Sequence, residues 1–131
     1  MPQIMYDIVP ALSRTIGITI NGSGTELSTG IKGYIQVPFS GTISRWTLFA
    51  DTTGDIVFDV WKDTFANYPP TAADSITGTG KPTLTNDLSA ESTDLATWNT
   101  LIFAGDIVAF NVESVSGIFR VTLELWVTSI E

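Results

Sequence analysis

The chain has 131 residues, with six lysines and arginines against fourteen aspartates and glutamates, a formal charge of −8, and neither cysteine nor histidine. That length fits one domain, and a chain of this size buries roughly two-thirds of its unfolded surface, enough for a core without covalent staples. The composition excludes disulfides, thiol nucleophiles, imidazole bases and the common zinc ligands, and the six scattered basic residues give no concentrated face for a nucleic acid or an anionic membrane.

Residues 1–13, MPQIMYDIVPALS, read as an extended N-terminal arm. Pro2 and Pro10 disfavour a helix, and the residue before each leans towards extended backbone. Ile4, Met5, Tyr6, Ile8 and Val9 form an apolar series that rarely sits free in water, so docking on a neighbouring subunit or host surface is the sharper reading and an edge strand or frayed terminus the blander one. The arm lacks the basic start and unbroken apolar run of a signal peptide, and no apolar run in the chain approaches the ~20 residues of a membrane span.

The remainder, 14–131, reads as one all-β domain. Arg14–Ile20 alternates with Ile16, Ile18 and Ile20 on one face, and NGSG at 21–24 is a turn. Ile31–Val37 is a second strand, stopped by Pro38. Thr42–Ala50 places Trp46, Leu48 and Ala50 inward, with Arg45, Thr47 and Phe49 outward. DTTGD at 51–55 reads as a hairpin turn into a strand where Ile56, Phe58 and Val60 alternate with Val57, Asp59 and Trp61. Both faces of that strand are partly apolar, so it is either covered on both sides or placed at a subunit contact.

From Asp63 to about Thr93 no long periodicity appears, and the stretch reads as an ordered loop, with one helical turn at 71–76. Strand character returns over Asp94–Phe103 and Ile107–Val112. ESVSG at 113–117 reads as a turn into a last strand, where Phe119, Val121, Leu123, Leu125 and Val127 alternate with polar residues and Trp126. Seven or eight short antiparallel strands without a helical period predict a β-sandwich of jelly-roll type.

Few residues point to chemistry. Asp51 and Asp55 flank a glycine and could hold calcium, but both are ordinary turn residues. Asp59 and Asp63 could suggest a glycosidase pair. Asp63 lies at the strand end, however, and a solvated face or a pairing with Lys62 accounts for both. No G-x-S-x-G or S-x-x-K motif prepares a nucleophile, so no catalytic residue, metal or cofactor is expected. Trp61, Phe65 and Tyr68 form an aromatic series that either caps the core or offers a stacking or contact surface. Trp126, an indole on a polar face, is the stronger interface candidate.

The segment ISRWTLFADTTGDIVFDVWKDTFANYPPTAADSITGTGKP, 43–82, resembles a small domain that recurs in virion proteins of tailed bacteriophages. The matching positions are Trp46, Leu48, Ala50, Asp51, Gly54, Ile56, Val57, Asp59, Trp61, Lys62, Asp63, Phe65, Ala66, Asn67, Tyr68, Pro69, Pro70, Thr71, Asp74, Ser75 and Ile76. TGIKGYIQVPF and AGDIVAFNVES fit as well, so the resemblance covers nearly all of the chain after residue 15. It implies a non-enzymatic structural protein of the virion, assembled in the host cytoplasm. A capsid-decorating or cementing role is the leading expectation, because only a short arm and no fibre shaft precedes the domain. The expected partners are its own copies, as a trimer, and the major capsid protein or another virion protein. A receptor- or glycan-binding fibre tip is the alternative.

Overall fold

The computed structural model describes residues 12–129. The arm residues Ile4, Met5, Tyr6, Ile8 and Val9 lie outside that range. Among the described residues the strands are β1 (Leu12–Asn21), β2 (Gly30–Gln36), β3 (Gly41–Asp63), β4 (Thr83–Ser92), β5 (Leu101–Ile102), β6 (Ile107–Ser116) and β7 (Arg120–Ser129). Two single 3₁₀ turns, Phe65–Asn67 and Ala72–Asp74, follow β3. The fold is all-β, as expected, and every strand pairing is antiparallel within one sheet of seven strands. No helix among the described residues is long and apolar enough to cross a membrane.

Strand β3 organises the sheet. Along one edge it pairs first with β7, Gly41–Ala50 against Ser129–Val121, and then with β6, Asp55–Asp63 against Ser116–Ile107. Along its other edge lie β5 at Gly41–Thr42 and β4 between Trp46 and Val57. Outside these, β1 pairs with β7 and β2 with β6. A straight strand of that length would span ~75 Å, far beyond the ~14 Å radius of gyration of such a domain, so β3 has to bend.

The bend falls where the ladders break. The register with β4 shifts between Phe49 and Gly54, and β6 gives way to β7 through 117–119 at the same level. Gly54 makes the crossing possible. A Cβ there would stand 2.5 Å from the Ser116 carbonyl oxygen and 2.8 Å from Ile118 Cδ1. The Thr52 hydroxyl donates to the Gly117 carbonyl at 2.7 Å and ties the two bends together. The sheet curls until its end strands approach: Ile18 Cδ1 on β1 lies 2.8 Å from where a Cβ on Gly33 of β2 would stand.

The concave face is the core. A bulge between Ile43 and Arg45 resets the alternation, so Ile43 and then Trp46 and Leu48 point inward, followed by Ile56, Phe58 and Val60. Val121, Leu123, Leu125 and Val127 of β7 and Val108, Phe110 and Val112 of β6 meet them, each essentially without exposure. Burying one such Phe or Leu side chain contributes roughly 1.5–3 kcal/mol.

Four expectations are corrected. DTTGD is not a hairpin: it lies inside continuous β3, because its glycine serves a close backbone approach instead of a turn. The segment 63–93 is not all loop. Thr83–Ser92 within it are β4, a strand whose pattern is hidden because most of its side chains face solvent. Within Asp94–Phe103 only Leu101–Ile102 is strand, and Trp98 is instead a buried loop residue whose indole N–H donates to the Gly80 carbonyl at 2.7 Å. ESVSG belongs mostly to β6, which runs to Ser116. At the start of the chain, Leu12 and Ser13 are already paired with Ser129 and Thr128.

Gly54→Ala should destabilise the fold by about 1–3 kcal/mol, because its methyl group meets backbone that can move only by opening the crossing. Urea unfolding of the two proteins measures the difference.

Candidate functional site

Asp59 is the first site the sequence marks, and the structure gives it a different environment from the one expected. It is 4% exposed, not solvated. Beyond the end of β4, residues 75–82 continue along the edge of β3: the Ile76 N–H donates to the Val60 carbonyl and the Phe58 N–H to the Pro82 carbonyl, both at 2.9 Å. This brings Ser75 and Thr77 to the carboxylate. Oδ1 accepts from both hydroxyls at 2.7 Å and from the Val60 N–H at 2.9 Å, and Oδ2 accepts from the Trp61 indole at 3.0 Å. Burial pushes the carboxyl pKa up. The Ser75, Thr77 and Trp61 hydrogen bonds and the charge of Lys81 outweigh it, leaving the pKa below its ordinary 3.8. A carboxylate so engaged holds a segment in place.

The other acidic residues are also engaged locally. Lys62 pairs with Asp106, not Asp59, at 3.4 Å with both side chains largely buried, and Asp106 also accepts the Phe103 N–H at 3.0 Å. Asp63 accepts from the Thr64 N–H and from Asn67, so it forms no pair with Asp59. Asp51 accepts the Arg120 N–H and Asp55 the Asn86 N–H. Among the described residues no three His, Cys, Asp or Glu side chains cluster as metal ligands.

The predicted aromatic series divides. Trp61 is half-buried and bound to Asp59, while Phe65 is 67% and Tyr68 50% exposed. Trp61 and Tyr68 lie on the convex face, and none of the three belongs to the buried core. Tyr68 meets Tyr34 of β2 edge-on, with ring centroids 5.1 Å apart. Tyr34, Ala109 and Trp61 occupy one row across β2, β6 and β3, which explains why Ala109 is fully buried although it faces outward. Tyr68 thus lies over β2 on the convex face, and its ring and that of Tyr34 remain exposed there.

The convex face of the other half, formed by β1, β7, the first part of β3 and β4, is open. Trp126 is half-buried there, its ring under the Arg45 guanidinium at 4.4 Å and its N–H donating to Thr47 Oγ1 at 3.3 Å. Arg45 also reaches Glu91 at 3.7 Å. Phe49, 46% exposed, stands between two depressions. One, of about 360 Å³, is bounded by Thr47, Glu91, Glu124 and Trp126, and the other, of about 240 Å³, by Asp51, Arg120 and Thr122. Sequence reasoning singled out Trp126 but passed over Phe49 and Tyr34. The available signal was the same for all three: a large ring on the outward side of an alternating strand.

Neither a family model, nor a curated protein, nor a solved structure matches this chain.

Asp59→Ala should cost roughly 2–4 kcal/mol, because it leaves buried donors without an acceptor. The folded pKa is depressed, so the ionised carboxylate's contribution is complete above the unfolded value near 3.8 and is lost as pH falls through the folded value. Urea unfolding of wild type and Asp59→Asn should therefore show a stability difference at neutral pH that narrows below about pH 4.

Proposed function

We propose that the chain is a non-enzymatic structural protein of a tailed-bacteriophage virion, most specifically a decoration or cement protein on the head surface. It acts as a homo-oligomer, with a trimer as the expected form, and binds the major capsid protein or another virion protein. One observation carries this reading. The charged groups that might have done chemistry are committed to holding the chain to itself, while a whole convex face carrying Phe49 and Trp126 is left open. An open sheet face with aromatic side chains is what an assembly contact requires. The similarity of residues 43–82 to phage virion domains supplies the setting.

A glycan- or receptor-binding tip is the second reading, favoured by the exposed rings of Phe65, Tyr68 and Tyr34 on the segment that follows β3. Sugar stacking uses such rings.

Mass spectrometry of purified virions, with labelled-antibody electron microscopy, tests the primary reading. The protein should be present in many copies per particle and lie over the head. Absence from purified particles, or label confined to the tail tip, contradicts it. Removing residues 1–11 should abolish attachment to particles while leaving the β1–β7 pairing, and hence the circular-dichroism spectrum, intact. Full decoration by the truncated protein would remove the arm from the mechanism.

A further inference from the structure

We infer that the groove beside Trp126 receives an arginine side chain presented by a partner protein, with Glu124 as its counter-charge and the Phe49 ring as its stacking surface. The inference deepens the assembly reading above by naming what a partner presents, and it rests on that reading only for who the partner is.

Glu124 carries the argument. Every other carboxylate among the described residues except Glu113 accepts a hydrogen bond or forms an ion pair within the chain. Glu113 and Glu124 have neither. Glu113 is exposed, where water satisfies it, whereas Glu124 is half-buried on β7 and faces into the groove. A half-buried carboxylate without a partner keeps part of its desolvation cost, and a cation from outside offsets it.

The local geometry keeps the chain's own cations away from this carboxylate. Gly17, Glu124, Thr47 and Glu91 form one row across β1, β7, β3 and β4. The flanking positions are short. Gly17 has no side chain, and a Cβ there would lie 3.3 Å from Glu124 Cγ, while the Thr47 hydroxyl accepts the Trp126 N–H. Arg45, one row away, is held over the Trp126 ring at 4.4 Å and by Glu91 at 3.7 Å, and it does not line the groove.

The walls of the groove select the ligand. Glu124 and the exposed ring of Phe49 border the same space of about 360 Å³. That is at the lower end of the ~300–1,000 Å³ of small-ligand pockets, room for one side chain. A guanidinium pairs with a carboxylate through two parallel N–H bonds and also lies flat on an aromatic ring, whereas an ammonium offers only a point charge. Arg45 balances Glu91, so the groove keeps the charge of Glu124, and the formal charge of −8 on the chain draws basic partners towards it.

An NMR titration of the isotope-labelled full chain tests the inference, following the Trp126 indole N–H and the Thr47 amide. The probes are N-acetyl-arginine methylamide, its uncharged citrulline analogue and methyl glucoside. The arginine probe should shift both signals saturably, and the shift should weaken as salt is added. The citrulline probe should bind at least about tenfold more weakly, as expected for loss of a charge-assisted pair. Glu124→Gln should weaken the arginine probe by a similar factor, and Glu113→Gln should leave it unchanged. No saturable shift with the arginine probe, equal binding of the citrulline probe, or a folded Glu124→Gln protein that binds as the wild type does overturns the inference. Methyl glucoside shifting these signals where the arginine probe does not makes the groove a glycan site and overturns it as well. Failure of the virion reading is read separately, by absence of the protein from purified particles, which leaves the groove and its ligand standing.

Discussion

The structure depends on the continuity of β3. One strand of 23 residues supplies hydrogen-bonding edges to β4, β5, β6 and β7, and through β6 and β7 it positions β2 and β1. A strand of that length cannot stay straight inside so small a domain, so its bend sets how the sheet curls and where the core lies. The bend in turn requires Gly54, because the Ser116 carbonyl and the Ile118 side chain occupy the space a side chain would need. Local sequence, sheet topology and core packing therefore meet at one residue.

From that bend follows an asymmetry with functional weight. The two halves of the curled sheet are built alike, each with half of β3 flanked by one long strand and one edge strand. The chain leaving β3 turns back and pairs along the edge of the half it has just completed. Asp59 fixes that return, taking donors from Ser75 and Thr77 on the far side of the loop, and Tyr68 meets Tyr34 of β2. The half that begins β3 has no such returning segment and pairs with β4 and β5 instead. Its convex face, with Trp126, Arg45, Thr47 and Phe49, is free to meet another molecule.

Much of this was legible from residue order. β7 alternates cleanly because one face is core and the other is not, and Trp126 stood out as a large ring on the wet side of that strand. Other features were hidden for physical reasons. β4 has no alternation to read, since it is an edge strand with most side chains in water. The DTTGD stretch has the composition of a turn, and only the proximity of Ser116, more than sixty residues away, shows that Gly54 serves packing. The burial of Asp59 depends on hydroxyls sixteen and eighteen residues downstream that come into reach only when 75–82 pairs with β3. Trp98 looked like a strand residue because its ring is apolar, whereas its indole N–H anchors a loop to Gly80.

Hydrogen exchange under native conditions probes the continuity of β3 most directly. Amides of 41–50 and of 55–63 that pair with β7 and β6 should exchange with one common opening free energy, equal to that of global unfolding, because a single bent strand unites the two halves into one cooperative unit. If the two sets open independently, with one half protected while the other exchanges, β3 joins two separate units and the central role given to its continuity is wrong.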